Sequence, residues 1–150
     1  MFDQFLLPLL RFLENSAWAV AIRQSLWLYP ALEIIHILGI VMLVGGAIFF
    51  DLQLLGLAKN LSLPSLSAYL LPLSRKGLLL VIPSGILLFL TNAEKLGVDP
   101  TFWLKMLLLV LAALNALMFH RFRLLPVKLT ALVSIFAWIA IIACGRLLAY

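Results

Sequence analysis

Charge is what this sequence has least of. Asp, Glu, Lys and Arg together make up 11% of its 150 residues, where soluble domains carry about 25%, and this excludes a water-soluble globular protein. Carboxylates are the scarcer sign, six against eleven basic residues for a formal net charge of +5. Cysteine occurs once, as Cys144 inside the last apolar run. That excludes an internal disulfide and any cysteine-based metal site, and leaves Cys144 as a small buried hydrophobe. Histidine occurs only at His36 and His120. The alternation of a membrane β-barrel is missing, so helices are left to satisfy the backbone in lipid. Met1–Phe2–Asp3 lacks the basic start of a cleavable signal peptide, and no small-residue cleavage site follows.

What the chain has in abundance is apolar sequence, 65% of all residues. Four runs are long enough to cross a bilayer at about 1.5 Å per helical residue. They predict spans at about 26–50, 68–91, 102–120 and 129–148, separated by short polar breaks. Short connections make consecutive helices antiparallel neighbours. The expected fold is all-α: an integral membrane four-helix up-down bundle, one transmembrane domain over residues 1–150. Residues 1–16 are expected to form an interfacial amphipathic helix, because Phe2, Phe5, Leu6, Leu9, Leu10 and Leu13 alternate with Asp3, Gln4, Arg11 and Glu14.

The basic residues fall mostly between apolar runs, the pattern of loops held at a membrane face rather than of nucleic-acid binding. Lys59, Arg75, Lys76, Arg121, Arg123 and Lys128 group on one side with only Asp51 opposing them. Arg11, Arg23, Lys95, Lys105 and Arg146 lie on the other, diluted by Asp3, Glu14, Glu94 and Asp99. The first group is therefore assigned to the cytoplasm, with both termini outside and the protein multi-pass in the inner (cytoplasmic) membrane. Trp18, Trp27, Tyr29, Trp103 and Tyr150 then form an outer aromatic belt. Gly39, Gly45, Gly46, Ala47, Ser84, Gly85, Ala112, Ala113 and Ala116 permit close helix approach.

Two residues inside the first span need explaining. Glu33 and His36 stand three apart in LWLYPALEIIHILGIVMLVGGAIFF, on one helix face, where an ionisable group costs about 3 kcal/mol or more to insert. His36 lies nine residues past Trp27, about 13 Å deep. Lys105, Arg146 and Arg23 converge on the same outer level, which predicts a cluster of cations with Glu33 in an ion pair with Lys105 or within reach of Arg146. His36 itself has three readings: a structural histidine hydrogen-bonded to a neighbouring helix, an axial ligand of haem b with the cations meeting its propionates, or a proton relay with Glu33. Glu-x-x-His also occurs in di-iron bundles, but those need a second such pair and two more Glu. His120 lies 17 residues past Trp103, a depth mismatch with His36 of about 12 Å, so it reads as an interfacial residue beside Arg121 and Arg123.

LEIIHILGIVMLVGGAIFFDLQLLGLA and FWLKMLLLVLAALNALMFHRF carry a resemblance. His36 with Gly39, then Gly45 and Gly46, then Trp103 with Lys105 and a closing His120, resemble a family of small bacterial four-helix membrane proteins of unknown function. More distantly they resemble HemJ-type protoporphyrinogen oxidases and CopD-like and b-type cytochrome-like bundles. The first likeness covers nearly the whole chain and the others only these two helices. The resemblance implies His36 as haem ligand and Lys105 as a helper near the pocket, with Gly39 leaving room for a flat ring. The expected function is a membrane redox subunit of b-type cytochrome character. It would bind haem b through His36, with Gly39, Lys105, Arg146 and Arg23 around the cofactor. The expected partners are the lipid bilayer and other membrane or periplasmic redox subunits, with no nucleic acid. The competing reading is a non-enzymatic anchoring subunit of a larger complex. No catalytic residue is assigned.

Overall fold

The computed structural model describes residues 2–57, 62–121 and 126–148, with side chains from residue 6 onward and excepting that of His120. Lys59, Arg123 and Tyr150, and the side chains of Phe2, Asp3, Gln4 and Phe5, lie outside the described residues. Among those described, all regular structure is helical: α1 (Phe2–Glu14), α2 (Ala17–Gln24), α3 (Leu28–Leu54), α4 (Leu63–Thr91), α5 (Ala93–Val98), α6 (Pro100–Arg121) and α7 (Val127–Leu147). Helices α3, α4, α6 and α7 are each long and apolar enough to cross a membrane.

Local chemistry explains where the elements start and stop. Ser16 caps α2, its hydroxyl accepting from the Ala19 N–H at 3.4 Å. The Ser25 hydroxyl accepts from the Leu28 N–H at 3.2 Å, so the apolar stretch from Ala17 does not run unbroken into α3. Ser62 caps α4 by accepting from the Ser65 N–H, with Pro64 in the first turn, where its missing N–H costs nothing. This lengthens the second span back to Leu63 from the expected 68. The 91–101 break holds a further short helix, α5.

The largest departure is at the end of α3. Asp51 was expected to open a polar loop; instead α3 continues to Leu54 and Asp51 is buried within it. The reason is a partner the sequence pattern does not display. Ser134 of α7 hydrogen-bonds the Asp51 carboxyl, so the acid is drawn inward rather than ending the helix.

Helix α3 packs most extensively on α4 and also on α7, and α7 packs on α6. Rising residue numbers in α3 meet falling ones in α4: His36 meets Ser84, Gly39 meets Gly77, and Gly46 meets Ser74. The two helices are therefore antiparallel. The Asn115 side chain donates to the Thr130 carbonyl at 3.2 Å between α6 and α7. Helices α4 and α6 do not approach backbone to backbone among the described residues; Phe89 stacked on Phe102 at 5.1 Å bridges them at one end.

The α3–α4 seam is built on glycine. A Cβ on Gly77 would stand 2.6 Å from the Leu43 nitrogen and 2.7 Å from the Gly39 carbonyl oxygen. Both obstacles are backbone and cannot rotate away. Gly77→Ala should therefore destabilise the protein by about 1–3 kcal/mol, read as a lowered melting temperature in detergent. Gly45, with nothing within 4 Å of a Cβ, is the control: Gly45→Ala should leave stability unchanged or raise it by up to about 1 kcal/mol through helix propensity.

Candidate functional site: the His36–Ser84–Lys105 face

His36 projects from α3 onto α4, where the glycine seam brings the backbones together. Its Nδ1 lies 2.9 Å from the Ser84 hydroxyl. That hydroxyl has one proton, and it is committed to α4 itself: the Leu80 carbonyl oxygen is 2.5 Å away and that of Val81 is 3.3 Å away. Towards His36 the hydroxyl must then accept, so Nδ1 carries a proton. A neutral ring protonated on Nδ1 has its lone pair on Nε2, the tautomer a metal ligand uses, with its other nitrogen held by the protein.

Gly85 sets the ring's position. A Cβ there would come within 3.0 Å of His36 Cε1, so the imidazole rests against bare backbone. Ser84 and Gly85 act as a pair, one fixing the tautomer and the other making room. In sequence both read only as small packing residues.

Lys105 of α6 faces this site. It is close enough to His36 and to Cys144 of α7 for their charges to interact, and none of the salt bridges among the described residues involves it. The expected Glu33–Lys105 ion pair is not formed. Glu33 is exposed and takes a hydrogen bond from the Tyr29 hydroxyl one turn earlier. The carboxylate points along its own helix instead of across to α6.

Two other residues expected around a cofactor are engaged elsewhere. Gly39 is buried in the seam, where a Cβ would meet Val81 Cγ2 at 2.8 Å and the Gly77 carbonyl oxygen at 3.0 Å. It accommodates α4 and leaves no gap for a flat ring. Arg23 donates from Nη1 to the Thr91 carbonyl at 3.1 Å and lies 3.9 Å from Glu14 Oε1. It belongs to a cap at the end of α4. In that cap Glu14 Oε2 also accepts from the Glu94 N–H at 2.8 Å, and Arg11 binds Glu94 Oε1 through Nε and Nη2 at 3.2 and 3.1 Å. Acid at the start of α5 and base at the end of α4 each complement a helix dipole. Arg146 is exposed in the last turn of α7 and makes an interaction of its own. His120 closes α6 with its side chain outside the description, so its expected interfacial role stays untested.

Among the described residues no three His, Cys, Asp or Glu side chains group to hold a free metal ion. What the site offers is one oriented imidazole, with a cation opposite that has no anion beside it among the described residues. The chain matches no protein-family model, no curated protein and no solved structure.

The tautomer is directly measurable. In protein labelled with ¹⁵N-histidine, one of the two histidines should show a protonated Nδ1 and a bare Nε2 at neutral pH. Ser84→Ala should convert that signal to a mixture of tautomers. A wild-type His36 protonated on Nε2 would contradict the hydrogen-bond assignment.

Proposed function

We propose that this chain is a membrane redox subunit of b-type cytochrome character, binding haem b through His36 and passing electrons. The observation that carries this reading is His36 itself: a half-buried imidazole whose Nδ1 is tied to Ser84 at 2.9 Å, leaving Nε2 as a donor, with Lys105 facing it. Iron ligation uses a neutral imidazole held through its other nitrogen. A haem also brings two propionates, which need cations in a medium where unpaired carboxylates are costly. Lys105 has the right charge and no competing anion. The fit is narrower than the sequence suggested, because Gly39 and Arg23 are committed to packing and capping. The residues that would hold the group are thus His36 and Lys105, with Arg146 at the same end of the molecule. When bound, haem supplies reversible one-electron exchange at iron. The chain's own part is to orient the imidazole, set its tautomer and place a positive charge beside it. The likeness to HemJ-type and CopD-like bundles points the same way.

In this reading α3, α4, α6 and α7 form an up-down four-helix bundle in the inner (cytoplasmic) membrane. Helix α1 lies in the outer interface and both termini are outside. The exposed Trp18, Trp27 and Trp103 at that end suit an interfacial belt. Arg75, Lys76 and Arg121 then face the cytoplasm. Other membrane or periplasmic redox subunits would exchange electrons with it.

One observation favours the second reading, an anchoring subunit without a cofactor. Helices α6 and α7 leave an apolar groove of about 530 Å³ between them, lined by Leu108, Leu111, Leu129, Leu132, Val133 and Phe136, suited to lipid or to a partner's helix.

A reduced-minus-oxidised absorbance spectrum of detergent-purified protein, made where haem is plentiful, separates the two. The expected result is a b-type signature that His36→Ala abolishes. Lys105→Gln should weaken haem retention by roughly tenfold, about 1.4 kcal/mol, without changing the ligand. A wild-type protein lacking the band leaves the anchoring reading. For orientation, a reporter fused after Tyr150 should be active only outside the cytoplasm.

A further inference from the structure

The far end of α3 carries a buried acid that the His36 site does not use. Asp51 is 7% exposed and lies three residues before the end of α3 at Leu54. Ser134 of α7 donates to its carboxyl. Its Oδ2 is buried with no hydrogen-bond partner among the described residues, so Ser134 must serve the other oxygen.

Among the described residues, no charged or titratable side chain on the surrounding helices neutralises it. Helix α7 offers Lys128, exposed in its first turn, and Cys144 and Arg146 only at its opposite end. Helix α4 offers Tyr69, Arg75 and Lys76, all exposed. Helix α6, which meets α3 here through Phe119 against Phe50 at 6.0 Å, ends in exposed Arg121; His120 precedes it with its side chain outside the description. On α3 itself, Tyr29, Glu33 and His36 are near the other end. No salt bridge joins Asp51 to any described group.

An ionised carboxylate in such surroundings costs several kcal/mol unless paired, and one serine hydrogen bond of about 1.5–3 kcal/mol does not offset that. A bare metal cation is a poor remedy, because hard cations gather about six oxygen ligands and Ser134 is the one described side chain that hydrogen-bonds this acid. We propose that Asp51 is an intramembrane proton-binding site, with the proton on Oδ2 and Ser134 donating to the other oxygen. The step is a simple association: carboxylate plus a proton gives the acid, and no electron moves. Asp51 is about 4.5 Å along the axis from the end of α3. The chain then turns at Gly56, whose φ is +82°, so the short path for proton exchange is through that end of the helix. The site is independent of haem.

Aspartate occurs only at positions 3, 51 and 99, which makes the test clean. Full-length protein labelled with carboxyl-¹³C aspartate, purified in detergent, should show one protonated carboxylic acid band by infrared spectroscopy at neutral pH. The band should disappear reversibly in alkali. Asp51→Asn should remove it entirely, Asp3→Asn and Asp99→Asn should retain it, and Ser134→Ala should move it to higher frequency. Three ionised aspartates in the wild type at neutral pH overturn the proposal without recourse to any variant. Saturable loss of the band with Na⁺ but not K⁺ at fixed pH would overturn it too, making Asp51 a sodium ligand.

Discussion

The close approach of α3 and α4 is the constraint on which the rest depends. Where Gly39 faces Gly77, each backbone occupies the space a side chain would need on the other, and two turns on Gly46 leaves room for the Ser74 hydroxyl of α4. In lipid, no hydrophobic force distinguishes a helix neighbour from an acyl chain, so association relies on such packing and on interhelical hydrogen bonds. The seam supplies both. Continued towards the start of α3, it sets Ser84 and Gly85 against His36; the hydrogen bond and the ring's resting place follow from that separation. A wider seam would leave the imidazole beyond reach of the serine hydroxyl.

Polar groups in this chain are few, and most of those buried have one identifiable task. Ser84 and Thr91 return their hydroxyl protons to carbonyls of their own helix. Each then offers a lone pair, Ser84 towards His36 of α3 and Thr91 to the Asn92 side chain. Near the start of the chain, Glu14 and Arg23 satisfy backbone groups at the termini of α5 and α4, which fastens α1 and α2 to the core through ends of helices. The side chain of Leu10 fills the space beside Gly97, adding an apolar contact to that cap. Asp51 and Lys105 differ from these groups. Each is an ionisable side chain with no opposite charge beside it among the described residues, and they sit at opposite ends of the molecule. The chain thus separates a cation-bearing face at His36 from an acid at the far end of the same helix.

The four apolar helices and the all-α class were legible in the sequence, because run length does not depend on neighbours; His36 stood out there as an ionisable residue inside an apolar run. Lys105 was assigned to the level of Glu33 from its position after Trp103. Its expected pairing with Glu33 was not correct, since depth fixes a level in the bilayer and says nothing about direction around a helix axis. Arg23 was misread for a related reason: a cation near the outer level serves a cofactor and a helix C-terminus equally well by composition. Asp51 was misread as a loop residue because a charge after an apolar run ordinarily ends it. It stands seven residues after Val44, which the structure buries, and so on the same helix face, a relation that tells only once that face is known.

By itself, then, the sequence determined what must avoid water: four helices, their approximate limits and the few polar residues confined among them. Those are properties of single segments and their transfer energies. Only the tertiary structure decided which glycine packs and which makes room, which nitrogen of His36 holds its proton, and which charges are left without partners. Each of these is a relation between two helices far apart in the chain, set by distances of a few tenths of an ångström that no one segment encodes.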